Sequence, residues 1–311
     1  MASTIPCTMR ADRSTGRAAR LAAGALAFLL VLATGACSAI KIGYNNADSL
    51  LAYSLDGYFD LDEAQSQALR QRLRALLAWH RATQLQDYAQ LLGRWRARVE
   101  TAGEHPVSPD EVIAMQGDIN ARLATIADRA SPELARMALT LTAAQIEHCA
   151  AKMAKDAAKA HRELDSRAGA PAARRVKVYS ERAQEWLGPL HAEQVGLVRA
   201  SVGAHPELET ARVADMERRQ RELVELLSRM RATRPQPDEA ARWLRGYFAA
   251  LLSQDRPGQP GDRTPMRRAN AELTAALINS ATPTQRQLAA EKLGGYARDL
   301  TALSLEGVAR P

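Results

Sequence analysis

The sequence predicts an all-α protein, an elongated multi-helix bundle of antiparallel helices preceded by a signal peptide. Three observations predict it. Alanine, leucine, arginine, glutamine and glutamate dominate while phenylalanine and β-branched residues are sparse, a composition that favours helix and gives strands little to build on. Apolar residues recur every three or four positions over long stretches, which places them on one face of a helix. The stretches are separated by Pro- and Gly-containing breaks rather than by alternating runs.

The first element is an export signal over residues 1–36. Arg10, Arg13, Arg17 and Arg20 form a basic start opposed only by Asp12, and residues 21–33 are uncharged. That run falls short of the roughly 20 apolar residues a membrane-spanning helix needs. Met9 is a second candidate start within it. Small residues then lead to a cysteine, Thr34-Gly35-Ala36-Cys37. This run resembles the lipobox read by the bacterial lipoprotein-processing machinery. The resemblance implies a diacylglycerol thioether on Cys37, cleavage just before it, and a stable anchor from several acyl chains. Ser38 after the cysteine implies sorting to the outer membrane, facing the periplasm.

With the signal gone, residues 37–60 read as a tether with a short helix, and residues 61–311 as one all-helical domain. Taking the signal's net +3 from the chain's +7 leaves +4 over the rest, without the clustered basic face that nucleic-acid binding needs. The three cysteines reduce likewise. Cys7 lies in the signal and Cys37 carries the lipid, which leaves Cys149 without an internal disulfide partner. Cys149 falls in a helical pattern and reads as a buried, inert thiol, with His148 pointing about 100° away around the helix.

Helices are expected, in order, at about 62–99, 109–129, 132–165, 172–187, 189–202, 207–232, 238–253, 265–280 and 283–305. In the first, Leu69, Leu73, Leu76, His80, Tyr88, Leu91, Trp95 and Val99 form the inward stripe. The breaks carry Gly169-Ala170-Pro171, Gly188-Pro189, His205-Pro206, Pro235 and Pro237, and a loop from Arg256 to Gly261 that reads as flexible. In the 207–232 helix, Glu217 with Arg221 and Glu225 with Arg229 stand four residues apart, the pattern of a solvated face. The alternative is that its arginines touch anionic head groups.

One pattern recurs at helix starts. It reads Leu61-Asp62-Glu63-Ala64-Gln65, Leu141-Thr142-Ala143-Ala144-Gln145, Leu190-His191-Ala192-Glu193-Gln194 and Thr282-Pro283-Thr284-Gln285. Its physical reading is a capping box, in which the glutamine three residues on reaches back to the cap residue's own N–H. Ser108-Pro109-Asp110-Glu111 repeats the device with glutamate. The full LTxxQ form at 141–145 also resembles the repeated signature of Spy-like periplasmic chaperones, which implies a small helical cradle for unfolded clients. A wider resemblance rests on Gly43-Tyr44-Asn45-Asn46, Asp60–Gln65, Trp79-His80-Arg81 and Glu185–Leu190, and spans about residues 37–200. These look like a family of proteobacterial lipoproteins of unknown function, which implies no assigned reaction.

Trp79, His80 and Arg81 are the most distinctive cluster. His80 lies on the apolar stripe and Gln84 follows one turn later, so two polar side chains face a packing surface and need partners. Either a helix interface satisfies them, with Asp87 and Tyr88 in reach, or they mark a binding groove. Trp79, His80, Arg81 and Gln84 are the candidate interaction residues. The six histidines are scattered without zinc spacing, and no P-loop, nucleophile elbow or dinucleotide turn occurs, so no metal, cofactor or catalytic residue is expected. The expectation is a membrane-tethered envelope protein that acts on other envelope proteins, chaperone-like. The alternative is an assembly factor binding peptidoglycan or lipopolysaccharide.

Overall fold

A computed structural model describes residues 40–165, 170–253 and 262–308. The signal, Cys37 and the loop from Arg256 to Gly261 lie outside the described residues. Residues 40–45 are helical and belong to an N-terminal unit, 1–45, distinct from the body that starts at Asn46.

Every regular element among the described residues is a helix. In the body they are α1 (Ala47–Phe59), α2 (Glu63–Thr83), α3 (Leu85–Glu100), a 3-10 turn (Thr101–Gly103), α4 (Pro109–Ala138) and α5 (Ala143–Leu164). There follow α6 (Ala170–Leu187), α7 (Ala192–Ala204), α8 (Glu207–Thr233), α9 (Pro237–Ser253), α10 (Thr264–Asn279) and α11 (Pro283–Val308). No described helix is long and apolar enough to cross a membrane.

Two expected boundaries move. The helix expected at 62–99 divides at Gln84, where φ −114° and ψ −34° distort the turn. Thr83 donates its hydroxyl back to the Trp79 carbonyl at 2.8 Å, a bond that bends helices. Conversely, α4 runs straight through Pro132 and ends at Ala138, so the break falls between Ala138 and Ala143 and not before Pro132. A proline removes one backbone donor. Here the neighbouring Ser131 and Ala135 are fully buried, so packing holds the helix through it.

All four recurring motifs sit at helix starts. Gln65, Gln145, Gln194 and Gln285 each accept the N–H of the residue that begins their motif's cap, Asp62, Thr142, His191 and Thr282. Ser108 and Glu111 cap α4 in the same reciprocal way.

The body repeats one plan twice, over residues 47–164 and 170–308. In the first half α1 precedes α2, α2 precedes α3, and α5 closes the unit. In the second half α6, α7, α8 and α11 take those places, and the long α4 is answered by α9 and α10 together. Buried positions match, Leu69 and Leu73 with Val198 and Val202 at an offset of 129, and Ser131, Ala135, Met137 and Leu141 with Ala271, Ala275, Leu277 and Ala281 at an offset of 140. Each first helix ends on a left-handed residue, Asp60 (φ 50°) and Gly188 (φ 71°).

The halves are exchanged rather than side by side. α3 packs along α11 of the second half, and its counterpart α8 packs along α5 of the first. The end of α4 packs on α9 through Ala135, Ala138, Ala240, Ala241 and Leu244. The reciprocal contact joins Ala271 and Ala275 of α10 to Val107 and Val112. The core is accordingly divided among four clusters, each built on small and aliphatic side chains.

Candidate functional site

The four motif glutamines meet in two pairs. Gln65 and Gln145 bond amide to amide, at 3.2 and 2.5 Å. Gln145 also donates to the Asp60 carbonyl at 3.0 Å, and Gln65 to the Thr140 carbonyl at 3.1 Å. In the second half Gln194 and Gln285 do the same at 2.9 and 3.1 Å. Gln285 donates to the Pro189 carbonyl at 2.9 Å and Gln194 to that of Ser280 at 3.4 Å. Each pair staples two helix starts and two preceding carbonyls together. Gln194 is 1% exposed and Gln285 6%, so these amides are satisfied by one another instead of by water. The capping reading of the motif is therefore sound and incomplete: each glutamine caps its own helix and clasps a second one.

Trp79, His80, Arg81 and Gln84 do not converge. Trp79 is half-buried, with the Arg129 guanidinium 5.8 Å over its ring. The His80 ring meets Tyr88 edge-on at 5.2 Å, and burial lowers its pKa, which favours the neutral imidazole. Arg81 points toward α11, 3.7 Å from Glu306. Gln84 sits at the bend and donates to the Thr83 hydroxyl at 3.1 Å. Asp87 is engaged elsewhere, 2.7 Å from Arg122 on α4.

Arg129, whose guanidinium lies over the Trp79 ring, lines a groove between α2 and α4 with a volume of about 410 Å³. Leu69, Leu73, Leu76, Leu134 and Met137 line it, and the Arg72–Glu133 ion pair, 3.2 Å, stands on its rim. Along α4 the same helical face continues outward through Ile126 to Leu123 and Ile119, which are 43% and 40% exposed. The result is an apolar stripe that leads from open surface into a groove beside a tryptophan. Sequence reasoning missed it. Its signal was the spacing of Ile119, Leu123, Ile126 and Ala130 on α4, which reads equally as a buried face.

The second half carries a different concentration. Asp215 of α8, 6% exposed, is met by Arg218 at 2.5 Å, by Arg219, and by Arg263 at 3.7 Å, while Arg218 also holds Glu222 at 2.7 Å. Burial and the neighbouring arginines lower the Arg263 pKa. This knot ties α8 to the segment that opens α10, as Asp87 and Arg122 tie α3 to α4. On the same helix, Glu217 bonds His161 across to α5 at 2.9 Å, and the Arg229 guanidinium lies 3.9 Å over Trp243. Cys149 is fully buried, and desolvation pushes its thiol pKa up to about 11. Among the described residues no three histidine, cysteine or acidic side chains are grouped to hold a metal ion.

The model of a family of unknown function (DUF6279) matches residues 57–244, more than half of the chain. The match covers both α2 and α4, and with them the groove. No curated protein and no solved structure matches.

Proposed function

The chain belongs to that family of unknown function, and on this premise we propose that it is an envelope lipoprotein, tethered through lipid on Cys37, that holds other proteins against its helical body. The run Thr34-Gly35-Ala36-Cys37 after a basic and then apolar leader supports the tether. The observation that carries the holding role is the stripe Ile119–Leu123–Ile126 running into the α2/α4 groove at Arg129 and Ala130. A row of apolar anchors spaced three and four apart, ending in an aliphatic recess that two arginines line, suits an amphipathic or unfolded apolar segment. Apolar side chains enter the groove, while Arg72 and Arg129 on its edge meet the segment's carbonyls or acidic groups.

The test uses the membrane-bound chain with a photo-crosslinking amino acid at Leu123, compared with the same residue at Gly196 on α7. Crosslinks to envelope proteins at Leu123, lost when Ile119→Asp is added and absent at Gly196, support the reading. Retention of an aggregating client protein in solution by the purified chain should be lost in the same variant. Equal capture at both positions, or capture of lipopolysaccharide or peptidoglycan alone, overturns it.

A further inference from the structure

α1 presents an uncharged outer face. Ala52 is buried against Leu69, Leu73 and Met137, and Leu55 packs on the same cluster, which fixes the inner side of the helix. Tyr58 donates its hydroxyl to Asp156 of α5 at 2.9 Å, and Asp48 faces Arg74 at 3.5 Å, so the helix is clamped to the body along its length. The face opposite Ala52 carries Leu50, Tyr53, Ser54 and Gly57. Leu50 is 60% exposed and Tyr53 82%, with Leu51 beside them at 45%. Both acids of α1 are engaged toward the body: Asp48 with Arg74, and Asp56 as acceptor of the Leu61 N–H at 3.0 Å.

Ten large apolar side chains are exposed among the described residues, and four of them, Ile42, Leu50, Leu51 and Tyr53, fall within one short stretch. That stretch begins five positions after Cys37. The backbone between Cys37 and Ala47 reaches at most about 35 Å when fully extended. A lipid on Cys37 therefore keeps the start of α1 within that distance of a bilayer at all times. Among the surfaces of the body, the outer face of α1 is the one whose position in the chain commits it to the membrane.

We infer that the outer face of α1, through Leu50 and Tyr53, seats against the surface of the bilayer that holds the Cys37 lipid, and so fixes the body's orientation to that membrane. The inference rests on the lipoprotein reading. Two side chains supply little affinity by themselves. Affinity comes from the acyl chains, and the face supplies direction. Leucine enters the head-group and acyl boundary while tyrosine keeps its hydroxyl at head-group level. An uncharged face meets zwitterionic and anionic head groups alike without repulsion.

The experiment uses the full processed chain, purified with its lipid and carrying Cys149→Ala, in phosphatidylethanolamine–phosphatidylglycerol vesicles doped with brominated lipid. An environment-sensitive fluorophore is placed through Tyr53→Cys, and in a parallel sample through Gly196→Cys. Mass spectrometry of the N-terminal peptide is read on the same samples. The expected result is a blue shift and at least two-fold quenching at position 53, with neither at 196. A lipidated chain whose position 53 stays unquenched overturns the inference and leaves the tether standing. A blue shift at 53 without bromine quenching reports contact with a second copy or another protein, and also overturns it. An unmodified Cys37 removes the tether, and this inference with it.

Discussion

Gln65 and Gln145 stand 80 positions apart and bond side chain to side chain, each at the start of its own helix. Because each amide also serves a backbone group, neither can be replaced without stranding its partner. Gln145→Leu leaves the Gln65 amide and the Asp60 carbonyl short of a bond. A buried polar group so stranded costs about 1–3 kcal/mol, and these partly buried groups fall toward the lower end. Chemical denaturation should show that loss, and the Gln65→Leu, Gln145→Leu double variant should lose less than the sum of the singles. Additive losses would mean the pair is not a unit.

The second pair is the more deeply buried, at 1% and 6% exposure. Gln194→Leu should therefore destabilise at least as much as Gln65→Leu, whose side chain is only partly buried. Thermal unfolding of the two variants side by side checks the order. A smaller shift for Gln194→Leu would break the proposed equivalence of the two halves.

Exchange of helices between the halves predicts that neither is complete alone. Residues 40–169 lack the partner of α3, and residues 170–311 lack the partner of α8. Expressed singly, each should be poorly folded or should pair with a second copy of itself. Expressed together they should form one-to-one complexes by light scattering after size exclusion. Two independently folded monomers would contradict the exchange.

Glu111 offers a pH test. The Arg98 guanidinium at 2.7 Å and the Ser108 N–H hold its carboxyl at a pKa of about 2. A carboxyl whose folded pKa lies below its unfolded value contributes stability above the unfolded pKa and loses it as pH falls. The contribution is thus present at neutral pH and fades between about 4.5 and about 2. The carboxylate is largely exposed, so the effect is modest. Glu111→Gln should be less stable than the parent at pH 7, and the gap should narrow steadily as pH falls from about 4.5 toward about 2. A gap that holds constant with pH would point to lost packing instead.

Much of the fold was legible because its signals are local. A capping box spans four residues, so all four glutamine motifs could be placed at helix starts from sequence. Their pairing could not, because it joins amides 80 and 91 positions apart, and nothing local distinguishes a glutamine that caps from one that also clasps. Pro132 misled for the opposite reason. Its local penalty is real, but burial of Ser131 and Ala135 outweighs it. The bend at Gln84 carries neither glycine nor proline and arises from Thr83 bonding back to Trp79. As for the candidate interaction residues, Trp79 packs under Arg129, which lines the groove, while His80, Arg81 and Gln84 serve Tyr88, α11 and the bend. The remainder of the groove comes from α4, whose stripe gains meaning only once Ile119 and Leu123 are seen to stand exposed where Ala130 is buried.

The proposed tether through Cys37 underlies both the proposed holding role and the proposed seating of α1. Its most direct test is intact-mass and N-terminal peptide mass spectrometry of the chain extracted from the envelope of a bacterial host, with Cys37→Ser alongside. The account predicts a chain that begins at Cys37 and carries a diacylglyceryl thioether, with the variant unlipidated and released from membranes. A chain that begins elsewhere, or a Cys37 that bears a free thiol while the protein still fractionates with membranes, would contradict it.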